Sequence, residues 1–364
     1  MRVALIHDAL VNKGGAERVF QIFCEMFPDA KIYTSVYLPD KTWPYFKTRE
    51  IITTPLQKIV KNEIQIKTLF PLANYFMSQL KIVKADLILS SSTFCAKYIN
   101  KGTAKHFCYC YLPFRFLWYP NAYYSNKWIR VTLKLINPVI PLLKKWDYNI
   151  AQNIDQFIAM TKDTEKKIHD VYNKKSIIIP PPIIPRSYKP HDSKESHFLV
   201  VSRLEPYKKV DLVVEAFNIL KLPLHIVGSG SMVSNLKKSA GQNINFHHNI
   251  SDKKLDDLYA KSYAVIFPHK CEYGLVPLES NAMGKPAICY GFGGATETMI
   301  AFNGKNNNIA TSIFFYEQTV DSLIKAVNKF MKVNFNRETL LENARKFDKL
   351  SFQNKISEIL NIVN

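Results

Sequence analysis

His197-Phe198-Leu199-Val200-Val201 runs directly into Ser202-Arg203-Leu204-Glu205-Pro206-Tyr207-Lys208-Lys209, and this junction decides the fold class. A short apolar run bounded by a proline turn reads as a strand buried on both faces. The residues from Val210 onward carry the spacing of an amphipathic helix. A buried strand feeding a helix is the unit of a parallel α/β sheet. Arg203 and Lys208, five residues apart, then fall at the carboxyl edge of that sheet, where such folds bind ligands. Arginine offers a planar fork of donors to phosphate, and lysine a compact point charge. A single loop cation is ordinarily just solvated, so the pair needs a second feature beside it.

That feature is Glu272-Tyr273-Gly274-Leu275-Val276-Pro277-Leu278-Glu279, a glycine turn leading into a helix that carries a carboxylate. Glu279 can accept hydrogen bonds from both hydroxyls of a ribose; its plainer role is a helix acid near the dipole's positive end. Cations, a tight turn and a carboxylate together suit a nucleotide diphosphate sugar held without a metal. Val227-Gly228-Ser229-Gly230-Ser231 and Gly291-Phe292-Gly293-Gly294-Ala295-Thr296-Glu297 add glycine loops after further strand patterns, and are read as freeing backbone amides for a ligand. Asn12-Lys13-Gly14-Gly15-Ala16-Glu17-Arg18 does the same near the start, without the three spaced glycines of a dinucleotide fingerprint.

Outward from these motifs the alternation continues. Strands are expected at Val3–His7, Ala30–Val36, Ala85–Ser90, His106–Tyr111 and Gln156–Met160, then at Phe198–Val201, Leu224–Val227, Ile244–His247, Ala264–Phe267 and Ala287–Tyr290. A helix starting near Gly15 turns Val19, Phe20, Ile22 and Phe23 inward. Ile177-Ile178-Ile179-Pro180-Pro181-Pro182-Ile183-Ile184-Pro185 reads as a strand end and an interdomain linker, because no helix survives that proline density. Helices are expected from about 320 to 364. The chain therefore divides into residues 1–185 and 186–345, each an α/β domain, with a final helix at about 346–364.

The chain has 364 residues, 47% of them hydrophobic and 22% charged, the composition of a folded globular protein. No long uncharged apolar run is present, so a spanning helix is not expected, and Met1–Asp8 reads as a first strand rather than a signal peptide. The six cysteines show no Cys-x-x-Cys pair or zinc spacing and read as core packing in a reducing cytoplasm. The net charge of +19 is uneven: residues 1–190 hold 28 Lys and Arg against 13 Asp and Glu, while residues 191–364 hold 21 against 17. The asymmetry points to an anionic partner for the first half: a membrane surface, a phosphorylated acceptor or a nucleic acid. Two basic amphipathic segments, Gln57–Lys84 and Lys127–Lys145, flank the aromatic run Phe114-Arg115-Phe116-Leu117-Trp118-Tyr119. They fit either a membrane interface or helices with solvated basic faces. No Ser-His-Asp or Cys-His arrangement and no Asp-x-Asp metal pattern is visible, and Asp256-Asp257 reads as solvated helix.

Through nearly its whole length the chain resembles a retaining glycosyltransferase of family 4. The shared segments include Gly14-Gly15-Ala16-Glu17-Arg18, Ser90-Ser91-Ser92, Cys108-Tyr109-Cys110, Ser202-Arg203-Leu204, Pro206-Tyr207-Lys208-Lys209, Gly274-Leu275-Val276-Pro277-Leu278-Glu279 and Gly293-Gly294-Ala295-Thr296-Glu297. Within that family it is similar to bacterial mannosyltransferases of O-antigen and exopolysaccharide assembly that use GDP-mannose. The resemblance implies the GT-B fold, two Rossmann-like doubly wound domains facing across a cleft, with the final helix packing back on the first domain. It implies that Arg203 and Lys208 hold the donor diphosphate and stabilise it as leaving group, and that Glu279 binds the ribose. Gly274, Leu275 and Val276 would meet phosphate and hexose, Gly228 would lie in the donor site, and Gly15 would line it from the first domain. Asn249 and Ile250 would lie at the base. No cofactor or metal is implied beyond the nucleotide sugar itself. The acceptor would be a lipid-linked or surface glycan, reached at the cytoplasmic face of an anionic membrane.

Three positions depart from the family pattern. Cys271 stands where the first glutamate of the family's pair contacts the transferred sugar, and Glu272 lies one residue late. Tyr111 replaces the family's active-site histidine, and Tyr119 an aspartate. Tyr111, Arg115 and Cys271 are therefore the sugar-side or acceptor candidates. These departures also motivate a second expectation, a catalytically degenerate homologue that binds nucleotide or glycan as a scaffold. Nucleic-acid binding by the basic half lacks a recognisable module.

Overall fold

The computed structural model describes residues 1–119, 131, 135–183, 195–270 and 273–361. The chain forms two compact units, Met1–Pro181 with Ile356–Asn364, and Pro182–Lys355.

Among its described residues the first unit holds seven parallel strands: β1 (Val3–His7), β2 (Lys31–Thr34), β3 (Ile51–Thr53), β4 (Leu87–Ser92), β5 (Lys105–Cys110), β6 (Gln156–Ala159) and β7 (Ser176–Ile178). Their order is β3-β2-β1-β4-β5-β6-β7, so the winding reverses between β1 and β4. The second unit holds β8 (His197–Val201), β9 (Leu224–Val227), β10 (Ile244–His247), β11 (Ser262–Phe267), β12 (Ala287–Tyr290) and β13 (Ser312–Phe315). Its order, β10-β9-β8-β11-β12-β13, reverses between β8 and β11. Both sheets are doubly wound and Rossmann-like, and each has its topological switch point where the first strand meets the fourth.

The apolar runs explain this arrangement. Leu5, Ile6, Ile88, Leu89, Phe198, Leu199, Val200, Val265 and Ile266 are buried to within about a percent of full enclosure, as strands covered on both faces must be. The first helix, Gly15–Met26, buries Val19, Phe20, Ile22 and Phe23 against its sheet. Two strands not expected from the sequence, β3 and β13, are short and form edges of their sheets. The second unit runs to Lys355, past the expected 345. Helix Arg337–Arg345 is part of its packing: Asn343 Nδ2 donates to Asn281 Oδ1 at 3.0 Å and to the Thr298 carbonyl at 2.9 Å, all within the buried core.

Neither basic segment forms one continuous helix. Gln57–Lys84 breaks into helices Glu63–Thr68 and Phe70–Gln79, the first capped by Asn62 and the second begun by Pro71. Val60, Ile66, Phe70 and Met77 enter the core, while Ile59, Ile64, Leu72 and Tyr75 remain exposed. Of the second segment, helix Ile140–Gln152 and the residues just before it are described; Leu135 and Leu142 are exposed, while Lys127, Arg130 and Lys134 lie outside the described residues. The helix is anchored by Asp147, which is wholly buried. Its carboxylate pairs with Lys97 Nζ at 2.8 Å and accepts from Tyr98 Oη at 2.6 Å, Tyr172 Oη at 2.7 Å and Trp118 Nε1 at 2.8 Å. A buried charge is tolerated because its lone pairs are satisfied. Among the described residues no helix is long and apolar enough to cross a membrane.

Candidate functional site

In the second unit the sequence-marked residues gather at the carboxyl edge of the sheet. The chain leaving β8 and the chain leaving β9 are laced together. Leu204 N donates to the Ser229 carbonyl at 2.8 Å, Met232 N to Leu204 O at 2.9 Å, and the Glu205 carboxylate accepts from Ser231 N at 3.1 Å and Ser231 Oγ at 2.6 Å. Such contact demands glycine. Gly228 and Gly230 have φ of +151° and +158°, and a Cβ on them would lie 1.8 Å from Ser202 O and 2.3 Å from Leu204 O. This corrects the reading of Gly228 as freeing an amide for a ligand: its N–H is already given to the His247 carbonyl at 2.9 Å. The glycine allows backbone to meet backbone.

On this platform Arg203 is exposed, and Lys208 closes the short turn Pro206–Lys208. Lys208 Nζ lies 2.8 Å from His269 Nε2, on the loop that leaves β11. The contact therefore spans the switch point between β8 and β11. His269 is 2% exposed and its ring packs on Phe267 with centroids 4.3 Å apart. Gln318 Nε2 steadies the preceding residue by donating to Pro268 O at 2.9 Å. Burial, and secondarily the charge of Lys208, push the imidazole down to about 3, so it is neutral at physiological pH.

Glu279 lies on helix Leu275–Ala282, half-buried, and accepts from the enclosed Tyr259 hydroxyl at 2.8 Å. Among the described residues no side chain caps the N-terminus of this helix at Gly274, and Pro277 has no N–H to satisfy, so the first turn presents Leu275 and Val276 amides as an anion site would. Gly274 itself packs close to the next glycine loop: an added Cβ would sit 3.2 Å from Ala295 Cα. Asn249 follows β10 in a left-handed conformation, with φ of +50°, next to half-buried Ile250. Cys271 and Glu272 lie outside the described residues. Asp256 and Asp257 are half-buried in helix Asp252–Ala260 rather than fully solvated.

The carboxyl edge of the first unit is built differently. Asp8, just after β1, is buried, and its carboxylate accepts from Ser92 Oγ at 3.1 Å, Thr93 Oγ1 at 2.8 Å, Phe94 N at 3.1 Å and Ala96 N at 2.7 Å. His7 Nδ1 lies 3.1 Å from Ser91 Oγ, which lies 3.0 Å from Tyr111 Oη. Tyr111 Oη also donates to the Ala16 carbonyl at 3.1 Å, and burial pushes the phenol well above its ordinary range. Tyr111 thus pins the loop that begins helix Gly15–Met26, where Gly15 is exposed. Arg115 begins the short helix Arg115–Trp118, and Tyr119 lies under Lys167, 5.6 Å from ammonium to ring centroid. The cysteines described, Cys24, Cys95, Cys108, Cys110 and Cys289, are buried, and burial raises the Cys24 and Cys108 thiols to about 12.

Sequence reasoning missed three residues that organise these edges: His269, Tyr259 and Asp8. A histidine directly after Phe267-Pro268 at a strand end was the only available signal for the first.

Residues 186–347 match the family model described as glycosyl transferases group 1. Among curated proteins, the chain is 26% identical over 247 residues to a probable sucrose-phosphate synthase of Thermosipho melanesiensis, covering 59% of this chain and 55% of that protein. It is 21% identical over 262 residues to the O-antigen chain mannosyltransferase RfbU of Salmonella typhimurium, covering 67% and 69%. The chain spans about half the length of the first curated relatives it matches. Among solved structures, Anabaena Alr3699/HepE in complex with UDP superposes with a TM-score of 0.69 at 16% identity, over 99% of this chain and 100% of that one. The fold is GT-B, built from two Rossmann-like parallel-sheet domains.

Proposed function

We propose that this chain is a hexosyltransferase that moves a sugar, mannose by preference, from a nucleotide diphosphate to a lipid-linked or surface glycan with retention of configuration. The observation that carries the reading is the convergence of Arg203, Lys208, the Gly274 helix start and Glu279 on one sheet edge of the second unit. Arg203 and Lys208 supply positive charge to the diphosphate, and the amides of Leu275 and Val276 add donors. Glu279, aimed by Tyr259, takes the ribose hydroxyls. The bond from the hexose C1 to the diphosphate oxygen breaks as the acceptor oxygen bonds C1 on the same face. The acceptor's proton passes to the departing phosphate. Charge building on the leaving group is offset by the two cations, so no metal is needed in this reading.

Support for mannose comes from the O-antigen mannosyltransferase relative; the GDP donor rests on the resemblance of the sequence to mannosyltransferases that use GDP-mannose. The UDP bound in the Anabaena structure makes UDP the competing base. Support for a membrane-facing acceptor comes from Ile59, Ile64, Leu72, Leu135 and Leu142, exposed apolar side chains in the basic half beside Lys58, Lys61, Lys144 and Lys145. Thermal shift of the whole chain against GDP, UDP and their hexose conjugates tests the reading, since a ligand that binds the native state raises the melting temperature. Slow release of nucleotide from one of these donors is expected; stabilisation by none of them would overturn it. The second reading, a degenerate scaffold, is favoured by Tyr111, whose hydroxyl is spent on Ala16 and Ser91. Tight nucleotide binding with no donor turnover would select it.

A further inference from the structure

Lys208 has three N–H donors and no acceptor, so the nitrogen it touches must be bare. His269 Nε2, 2.8 Å away, therefore carries no proton, and the neutral ring has its proton on Nδ1. Nδ1 is buried and has no hydrogen-bond partner among the described residues. An apolar ring would fill this place beside Phe267 without stranding a donor; what the imidazole adds is the Nε2 acceptor. The backbone under it is tied by Gln318 to the Pro268 carbonyl. The ring is thus a fixed acceptor on one side of the switch point, and the Lys208 ammonium from the other side rests on it.

We propose that His269 is a positioning residue of the diphosphate site: its Nε2 holds the Lys208 ammonium at the switch point, ordering the flexible side chain before an anion arrives. This deepens the nucleotide-sugar reading and rests on it. Lysine loses considerable rotamer freedom when it is fixed, so a holder already in place strengthens diphosphate binding. The neutral imidazole does this without bringing a negative charge to the site. Its effect acts on the diphosphate and not on the base or ribose.

The experiment is calorimetric titration of the full chain with GDP, UDP, guanosine and uridine. For whichever base binds, His269→Phe lowers the ratio of diphosphate to nucleoside affinity roughly tenfold. His269→Gln, which restores a side-chain acceptor, recovers most of it. In a Lys208→Ala background, His269→Phe causes no further loss, because the lysine it serves is gone. An unchanged ratio in His269→Phe, or full additivity with Lys208→Ala, overturns the proposal. Should His269→Phe fail to fold, the nitrogen spectrum of the wild-type imidazole decides: a proton on Nδ1 supports the proposal, and one on Nε2 overturns it. If Lys208→Ala weakens diphosphate binding and His269→Phe does not, this inference alone falls. If the wild type binds no nucleoside diphosphate, the functional reading falls with it.

Discussion

The two sheets reverse their winding in the same way, yet their switch points are filled in opposite manners. In the first unit the gap between β1 and β4 is closed by an anion: Asp8 is buried and collects donors from Ser92, Thr93, Phe94 and Ala96. In the second unit the gap between β8 and β11 is spanned by a cation on a neutral ring, Lys208 on His269. A carboxylate that gathers backbone amides uses up the donors an anionic ligand would want. A lysine resting on imidazole adds positive charge to a place where helix Leu275–Ala282 already turns its amino end. The same topology thus gives one edge whose donors are gathered onto its own carboxylate and one that sets a lysine beside the amino end of a helix.

The largest effect expected from this contrast is on stability, at Asp8. Asp8→Ala strands backbone amides and two hydroxyls, and should cost on the order of 3–5 kcal/mol. Urea unfolding measures it; a loss under about 1 kcal/mol would show that the first switch point is not sealed in this way. Lys208→Ala should behave in the reverse sense. Its stability should stay within about 1 kcal/mol of wild type, while turnover of the donor sugar drops by roughly a hundredfold to a thousandfold, about 3–4 kcal/mol. Normal turnover in this variant would remove Lys208 from the site. Next comes the platform itself. Gly228→Ala puts a Cβ 1.8 Å from Ser202 O at a φ of +151°. It should lower stability by about 2–3 kcal/mol and also weaken nucleotide binding; a stable variant with intact binding would separate the loop lacing from the site.

The legibility of these two edges in the sequence differs for a physical reason. Most strands are legible because apolar runs enclosed on both faces leave little else to be, and Arg203, Lys208, Gly274 and Glu279 because charge and glycine following a strand pattern are local signals. Asp8 and His269 looked like ordinary polar residues. Their roles arise from contacts across 84 residues to Ser92 and across 61 residues to Lys208, which no local pattern encodes. Gly228 shows the same limit from the other side. A glycine loop after a strand is read as an amide cradle, but whether its N–H is vacant depends on a neighbouring strand's carbonyl, here His247. Likewise the basic segments were visible as amphipathic, whereas their division into buried Val60 and Ile66 and exposed Ile59 and Ile64 is set by packing partners far along the chain.

The smallest effect expected is an acid sensitivity that is steeper in the second unit. His197, His225 and His247 stand on three adjacent strands with stacked rings, centroids 4.2 Å and 4.9 Å apart, and His225 Nδ1 lies 2.8 Å from His247 Nε2. Burial lowers all three, and His225, also pressed by its two neighbours, falls to about 4 from an ordinary 6.5. A base held neutral in the fold takes up its proton more readily when unfolded. Stability is therefore full above pH 6.5 and is lost as pH falls toward 4. With His225 half-exposed, its share comes to about 1–2 kcal/mol. The first unit has buried His106, lowered to about 3 and hydrogen-bonded to Ser90, but the second unit has His269 besides the stack and so holds more lowered imidazoles among its described residues. Urea unfolding at about pH 7 and about pH 4.5 with a probe in each unit should show the steeper fall in the second. His225→Phe should flatten that fall while Lys208→Ala leaves it unchanged, because the stack lies within the sheet and the Lys208–His269 contact at its edge. If both variants flattened it equally, the acid response would belong to the switch point instead.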